Sequence, residues 1–201
     1  ETREGKFKTA RRYYLPIDLD GKTLGIIGYG RIGKQVAKKC MAAFNMKVMI
    51  YDPYISDDVV APGVIRCSNE EDVYKQADVL SIHVPLTDET KKHLGEKLLS
   101  MMKPSAYLIN TARGNIIDET YVIKMLNEDR LKGAAFDVLT NEPPMDNEEF
   151  LDNPKTIISP HTAALTHECT VRVACEAATG IVDYLEGRKP KSIFNRKGLG
   201  L

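Results

Sequence analysis

Three glycines in one short segment have the spacing of a phosphate-binding turn. Gly28, Gly30 and Gly33 form the pattern G-x-G-x-x-G directly after a largely apolar run, residues 24–27. In this pattern the first glycine permits a tight turn, the second lets backbone approach a pyrophosphate, and the third lets the following helix pack against the strand. The N-terminus of that helix favours negative charge. Glycines also mark ordinary turns, so the pattern indicates a dinucleotide site only together with other residues.

A carboxylate ends the second apolar segment of the chain. Asp52 follows residues 47–51 and precedes Pro53, which stops a strand. After a glycine fingerprint, an acid at this place can accept hydrogen bonds from both ribose hydroxyls of NAD, and it repels the 2′-phosphate of NADP. An Asp-Pro turn is the alternative interpretation. The position at a predicted strand end favours the cofactor interpretation, with NAD rather than NADP.

Three further residues have the chemistry that a reaction beside a nicotinamide needs. The planar guanidinium of Arg113 suits a carboxylate, which it can bind through two parallel hydrogen bonds. His161 titrates nearest to physiological pH and can supply a proton to a carbonyl that accepts hydride. Glu142, if it reaches that histidine, would favour the imidazolium and fix the ring. A surface arginine, an exposed loop acid and a structural histidine are the alternatives, and the spacing leaves them open.

An alternation of strands and helices is predicted to position these residues. Strands are expected over residues 24–27, 47–51, 63–67, 78–84, 106–110, 133–138 and 156–159. Helices are expected over residues 32–44, 69–76, 96–102, 118–129 and 166–186. This alternation is typical of the α/β class, in which a doubly wound parallel sheet carries helices on both faces.

Residues able to bind a ligand follow nearly every predicted strand. In doubly wound sheets, ligands bind beyond the carboxyl ends of the strands. Apart from the short third strand, each end carries a glycine, an acid, a histidine or an arginine, and these ends are Gly28, Asp52, residues 83–85, residues 110–114, Asp137 and His161. Glu142 lies between the last two. The pattern therefore predicts one site along a single edge of the sheet.

Composition excludes several classes of protein. The 201 residues include 28 basic and 28 acidic side chains. There is no surplus of basic residues that would indicate binding to nucleic acid or to an anionic membrane surface. The apolar runs are too short to span a bilayer. Four scattered cysteines without a C-x-x-C pair indicate reduced thiols in a cytoplasmic protein, and no metal site is expected. The polar start, without a signal-peptide core, resembles the middle of a protein, so a fragment is expected.

Taken together, the motifs resemble the D-isomer-specific 2-hydroxyacid dehydrogenase family. The matching segments follow the family's order over about residues 20–165, and they are GIIGYGRIG, IYDP, ADVLSIHVPLTDET, SMMKP, LINTARGNIIDE, GAAFDVLTNEPP and SPHTAA. Phosphoglycerate dehydrogenases and hydroxypyruvate or glyoxylate reductases look most similar. The resemblance implies a Rossmann domain and hydride transfer between NAD(H) and a 2-hydroxy acid or 2-keto acid pair.

The resemblance also implies roles for individual residues. Arg113 matches the arginine that holds the substrate carboxylate, His161 the catalytic histidine, and Glu142 the acid that partners it. Arg31 and Ile32 match a pair that contacts the pyrophosphate. The cofactor-binding positions implied are Gly28, Gly30, Arg31, Ile32, Gly33, Asp52, Val84, Pro85, Thr111, Ala112, Arg113, Asp137, His161, Ala163 and Ala164.

The domain organisation follows from the same resemblance. Residues 1–14 are expected to form an arm or linker, residues 15–165 the NAD-binding domain, and residues 166–201 a hinge helix and tail that return to a substrate domain mostly absent from this chain. A homodimer is implied for the longer protein. Phosphoglycerate dehydrogenases usually have glycine at the position of Ala163, which weakens that substrate assignment. An NADH-sensing interaction protein resembling the C-terminal-binding corepressors is the alternative function.

Overall fold

One parallel sheet of seven strands forms the centre of the first part of the chain. A computed structural model describes residues 4–6, 16–145 and 149–193, so most of the expected arm over residues 1–14 and the end of the tail lie outside the described residues. The chain divides into two compact units, Glu1–Pro160 and His161–Leu201. The strands are β1 (Thr23–Ile27), β2 (Lys47–Tyr51), β3 (Val64–Arg66), β4 (Val79–Ile82), β5 (Tyr107–Asn110), β6 (Gly133–Phe136) and β7 (Thr156–Ile158).

The strand order confirms the predicted doubly wound sheet. It runs β3-β2-β1-β4-β5-β6-β7, and every neighbouring pair is parallel. The order reverses beside β1, which pairs with β2 on one side and with β4 on the other. That reversal opens a crevice at the carboxyl ends of these strands, where such folds bind their ligands.

Helices connect most of the strands. They are α1 (Arg31–Phe44), α2 (Glu71–Gln76), α3 (Glu96–Leu99), α4 (Glu119–Asn127), α5 (Glu149–Asp152) and, in the second unit, α6 (His167–Leu185). Short 3₁₀ turns span Asp57–Val59 and Gly114–Ile116. The short α5 and both 3₁₀ turns were not predicted, since segments of three or four residues show no clear periodicity.

The sheet has an apolar core on each face. Leu24 and Ile26 of β1 belong to one core, together with Ala37 of α1, whereas Ile27 belongs to the other core, together with Val73 of α2. Successive side chains of a strand point to opposite faces, so a strand covered on both faces reads as continuously apolar. This two-sided burial holds the strand ends in place beneath the loops that follow them.

Two of the helix boundaries that differ from the sequence prediction have local reasons. The helix expected over residues 96–102 ends at Leu99, because the N–H groups of Met101 and Met102 donate to the carbonyls three residues back. The helix expected from Asn69 begins at Glu71. The Asn69 side chain still accepts a hydrogen bond from the N–H of Asp72 at 3.0 Å, which satisfies a free donor of the first turn.

The second unit contains one long helix. The Thr166 hydroxyl accepts a hydrogen bond from the N–H of Cys169 at 3.0 Å and so caps α6 as predicted. No residue of α6 is buried, and its apolar side chains are exposed, including Val173, Ile181 and Leu185. In the part of the chain that the structure describes, no helix is long and apolar enough to cross a membrane.

Candidate active site

The three fingerprint glycines form the turn between β1 and α1. Gly28 has a φ of +91°, and a Cβ built there would lie 2.7 Å from the carbonyl oxygen of His83. A Cβ on Gly33 would lie 2.3 Å from the carbonyl oxygen of Gly28, so strand and helix are in close contact. A Cβ on Gly30 would have no neighbour within 4 Å. The space over Gly30 is thus open where the motif requires backbone to approach a pyrophosphate.

Asp52 links the glycine turn to the end of β2. Its Oδ2 accepts a hydrogen bond from the N–H of Tyr29 at 2.8 Å, and its Oδ1 accepts one from the N–H of Tyr54 at 2.9 Å. Each carboxylate oxygen has two lone pairs, so one on each remains for a ribose hydroxyl. The carboxylate therefore orients the phosphate-binding turn as well as facing the crevice.

A cavity of about 420 Å³ lies at the switch point between β1 and β4. It brings together five of the predicted cofactor residues, namely Gly28, Gly30, Asp52, Val84 and Pro85. It is further lined by Ile27, Tyr51, Pro53, Tyr54, Glu70, His83, Thr87, Glu89, Thr90, His93 and Leu94. Its size and its combination of apolar walls with hydrogen-bonding side chains suit the adenosine part of a dinucleotide.

Two side-chain pairs at this cavity were missed by sequence reasoning. The hydroxyl of Tyr54 donates to Oε2 of Glu89 at 2.5 Å, and this hydrogen bond raises the pKa of Tyr54. Nε2 of His93 lies 2.8 Å from Oε2 of Glu70. Each pair joins loops that follow different strands, so no local pattern could have signalled it.

His83 closes the cavity from the side of β4. Its N–H donates to the carbonyl of Ile27 at 2.8 Å, and its Nε2 lies 2.9 Å from the hydroxyl of Ser81. Burial disfavours the charged ring and lowers the pKa of His83. The His83 ring is consequently neutral at physiological pH.

The loop after β5 is held by the last residue of that strand. Asn110 is fully buried. Its Nδ2 donates to the carbonyl of Arg113 at 2.9 Å, and its Oδ1 accepts from the N–H of Ala112 at 3.0 Å. Nη1 of Arg113 donates to the carbonyl of Ala112 at 2.6 Å, while the arginine side chain stays exposed. Thr111 lies exposed in the same loop.

The loops that carry Arg113 and Glu142 are in direct contact. A Cβ on Gly114 would lie 2.0 Å from the carbonyl carbon of Leu139, so only glycine fits between the two backbones. Oε1 of Glu119 accepts from the N–H of Thr140 at 2.8 Å. Oε1 of Glu142 accepts from the N–H of Leu139 at 2.9 Å. Arg113 and Glu142, which carry opposite formal charges, therefore lie on two neighbouring loops that hold each other in place.

Asp137 lies at the end of β6. It is buried, and its Oδ1 accepts a hydrogen bond from the hydroxyl of Ser159 at 2.5 Å, which ties the ends of β6 and β7 together. Arg31 and Ile32 lie exposed in the first turn of α1, directly after the open glycine. Their exposure leaves both side chains accessible to a ligand.

His161, Ala163 and Ala164 lie at the start of the second unit. His161 is exposed and has a φ of +53°. Residues with a side chain seldom adopt this left-handed conformation, and such residues concentrate at functional sites. No group of three or more His, Cys, Asp or Glu side chains among residues 4–6, 16–145 and 149–193 could hold a metal ion.

The fold, the glycine turn and the cavity define a dinucleotide-binding Rossmann domain. Comparison with known proteins identifies the family. Residues 1–163 match the family described as D-isomer specific 2-hydroxyacid dehydrogenase, NAD binding domain. The chain therefore belongs to this family, and its cofactor is NAD.

Three relatives illustrate the match. The glyoxylate reductase of Aeropyrum pernix is 37% identical over 183 residues, which cover 91% of this chain and 54% of that protein. The D-3-phosphoglycerate dehydrogenase of Bacillus subtilis is 37% identical over 185 residues, 92% of this chain and 35% of that protein. The NAD-complexed D-isomer specific 2-hydroxyacid dehydrogenase of Lactobacillus delbrueckii ssp. bulgaricus has 30% identity and a TM-score of 0.82, over 96% of this chain and 63% of that one. The chain thus spans only part of these relatives.

Proposed function

We propose that the protein transfers hydride between NAD(H) and a D-2-hydroxy acid or 2-keto acid pair, of the phosphoglycerate, glycerate or glyoxylate type. The observation that carries the proposal is the locked pair of loops after β5 and β6, which sets Arg113 and Glu142 on neighbouring strand ends of a dinucleotide-binding sheet. The names of the family and of its relatives supply the reaction class.

Arg113 is the group that holds the substrate. Its guanidinium is exposed, and the bond from Nη1 to the carbonyl of Ala112 orients the planar group. A 2-keto acid offers a carboxylate that fits this group through two parallel hydrogen bonds. Binding there presents the adjacent carbonyl carbon at the edge of the sheet, where hydride would be accepted.

The proton transfer is assigned to His161 and Glu142. NADH, when bound, supplies the hydride. His161 donates a proton to the keto oxygen as the alkoxide forms, and the positive charges of Arg113 and His161 stabilise that developing anion. The role of Glu142 is carried over from the resemblance to the family: a carboxylate that accepts a hydrogen bond from the His161 ring would favour the imidazolium and orient the ring.

The cofactor is assigned to the residues along the carboxyl edge, within a domain over residues 15–165. The glycine turn takes the pyrophosphate with Arg31 and Ile32, and Asp52 takes the adenosine ribose. The positions that complete the proposed site are Gly28, Gly30, Gly33, Val84, Pro85, Thr111, Ala112, Asp137, Ala163 and Ala164. The open space over Gly30 and the cavity beside Asp52 support this assignment.

The test is NADH consumption by the natural-length protein over a panel of 2-keto acids, including hydroxypyruvate, glyoxylate, pyruvate and phosphohydroxypyruvate. We expect His161→Ala to lower turnover of the best substrate by about 10²–10⁴-fold. His167→Ala, which removes an exposed histidine of α6, is the matched control and should leave the rate unchanged. Absence of turnover with every acid, or full turnover by His161→Ala, would contradict the proposal.

Two further properties belong to the proposal. A cytoplasmic location is supported by the four cysteines, all of which are free thiols. A homodimer is proposed for the natural-length protein because the resemblance to the family implies one. Light scattering during gel filtration measures the oligomeric state, and a monomer at micromolar concentration would contradict the dimer.

A further inference from the structure

The cavity beside Asp52 is lined by more negative charge than the ribose contact requires. Asp52, Glu70 and Glu89 all line it. None of the described residues that line it is a lysine or an arginine. NADP differs from NAD by a 2′-phosphate on this ribose, so the charge of the cavity wall bears directly on the choice between the two.

Asp52 is not an independent determinant of that choice. Both of its oxygens accept backbone N–H groups, from Tyr29 in the glycine turn and from Tyr54 after β2. An asparagine at this place would keep one acceptor and turn its NH₂ group towards the other N–H donor. Neutralising Asp52 therefore disturbs the phosphate-binding turn at the same time as it removes charge.

Glu89 carries charge without that second role. Its Oε2 accepts a hydrogen bond from the hydroxyl of Tyr54 at 2.5 Å, and the N–H of the same tyrosine donates to Asp52. One residue, Tyr54, thus contacts both carboxylates, Asp52 through its backbone N–H and Glu89 through an exposed side-chain hydroxyl. The partner of Glu89 is the hydroxyl of Tyr54, which brings no positive charge, whereas the partner of Glu70 is the imidazole ring of His93.

We propose that Glu89, held at the cavity by Tyr54, is a second specificity-determining residue that disfavours NADP and acts beside Asp52. The inference rests on the proposed NAD-dependent function. The mechanism is repulsion between the Glu89 carboxylate and a 2′-phosphate on the ribose bound at Asp52. A charge that repels NADP makes the site specific for NAD even if that charge makes no contact with NAD.

The test measures dissociation constants of NADH and NADPH by calorimetry on the natural-length protein. Glu89→Gln keeps an oxygen that can accept the Tyr54 hydroxyl but removes the charge. We expect NADPH binding to strengthen relative to NADH binding by about three- to tenfold at low salt, and by less near 1 M salt. Asp88→Asn is the matched control, since Asp88 is the exposed neighbouring acid and does not line the cavity. In this control the ratio of the NADPH to the NADH dissociation constant should stay within about twofold of the wild-type ratio.

The outcomes separate this inference from the proposed function. The role of Glu89 alone is overturned if the ratio of the NADPH to the NADH dissociation constant changes equally in Glu89→Gln and Asp88→Asn. It is also overturned if this ratio is unchanged in Glu89→Gln while NADH still binds. A folded wild-type protein that binds neither cofactor removes both proposals. Tyr54→Phe tests the holding contact and should give part of the Glu89→Gln effect, and an unaltered ratio would overturn the role of the tyrosine.

Discussion

Nδ2 of Asn110 donates a hydrogen bond to the carbonyl oxygen of Arg113, at 2.9 Å. The other end of the same amide accepts from the N–H of Ala112, and the whole side chain is buried. The last residue of β5 therefore holds the backbone on both sides of the turn that presents the arginine. The direction of Arg113 follows from a side chain three residues earlier.

Replacing Asn110 by alanine should affect both stability and substrate binding. The change leaves the Ala112 N–H and the Arg113 carbonyl without this partner, so we expect a loss of about 1–3 kcal/mol in the free energy of unfolding. The KM for the 2-keto acid should rise more than kcat falls, because the arginine loses its orientation. Urea denaturation and steady-state kinetics measure the two effects. Asn127→Ala removes an exposed amide whose Oδ1 accepts a hydrogen bond from Nδ2 of Asn153, and it should cost about 1 kcal/mol or less. An unchanged KM in Asn110→Ala would contradict the positioning role.

Gly114→Ala should destabilise the fold by separating two loops. The added Cβ would lie 2.0 Å from the carbonyl carbon of Leu139, and backbone atoms cannot move aside as a flexible side chain can. We expect a loss of about 1–3 kcal/mol or more in the free energy of unfolding. Gly95→Ala is a suitable comparison, since its Cβ would meet only the carbonyl of Lys92 at 3.6 Å. Equal stability of the two variants would show that the loops are not held by this contact.

Gly30→Ala should separate cofactor binding from stability. Apart from the two adjoining residues, no atom lies within 4 Å of a Cβ at this position, so the free energy of unfolding should change by less than about 0.5 kcal/mol. The methyl group would occupy the space where a pyrophosphate approaches the backbone, and NADH affinity should fall roughly tenfold or more. Thermal denaturation and calorimetry measure the two quantities. Wild-type affinity in this variant would place the pyrophosphate elsewhere.

Gly33→Ala should instead lose stability, because its Cβ would lie 2.3 Å from the carbonyl oxygen of Gly28.

His83 should make the protein less stable in mild acid. Burial lowers the pKa of His83 below its ordinary value of 6.5, so the unfolded chain binds a proton at a higher pH than the folded chain does. The free energy of unfolding should therefore be unaffected by this group above pH 6.5 and should decrease as the pH falls from 6.5 towards the lowered pKa. Urea denaturation at a series of pH values should show a flatter profile in this window for His83→Gln. His167→Gln, an exposed histidine, should keep the wild-type profile. A steep profile in His83→Gln would contradict the assignment.

Much of the fold was predictable from local patterns. The apolar run of residues 47–51 and the stop at Asp52-Pro53 were sufficient to place β2, because a buried strand needs only a short apolar segment and a terminator. The cap of α6 at Thr166 followed from the preference of hydroxyls for free N–H groups. The early end of α3 was not predictable, since its last carbonyls are satisfied by a tight turn whose residues do not differ from helical ones.

The sequence by itself determined which residues end the strands, and the family motifs supply the roles that we propose for them. Only the tertiary structure decided which strand ends are neighbours. Parallel strands pair through backbone hydrogen bonds that do not distinguish one strand from another, so the pairing of β1 with both β2 and β4 depends on the packing of the whole sheet. That pairing brings Tyr54 and Glu89 together although 35 positions separate them. The motifs indicate the chemistry proposed for the site, and the strand order assembles the cavity wall to which we assign the choice of cofactor.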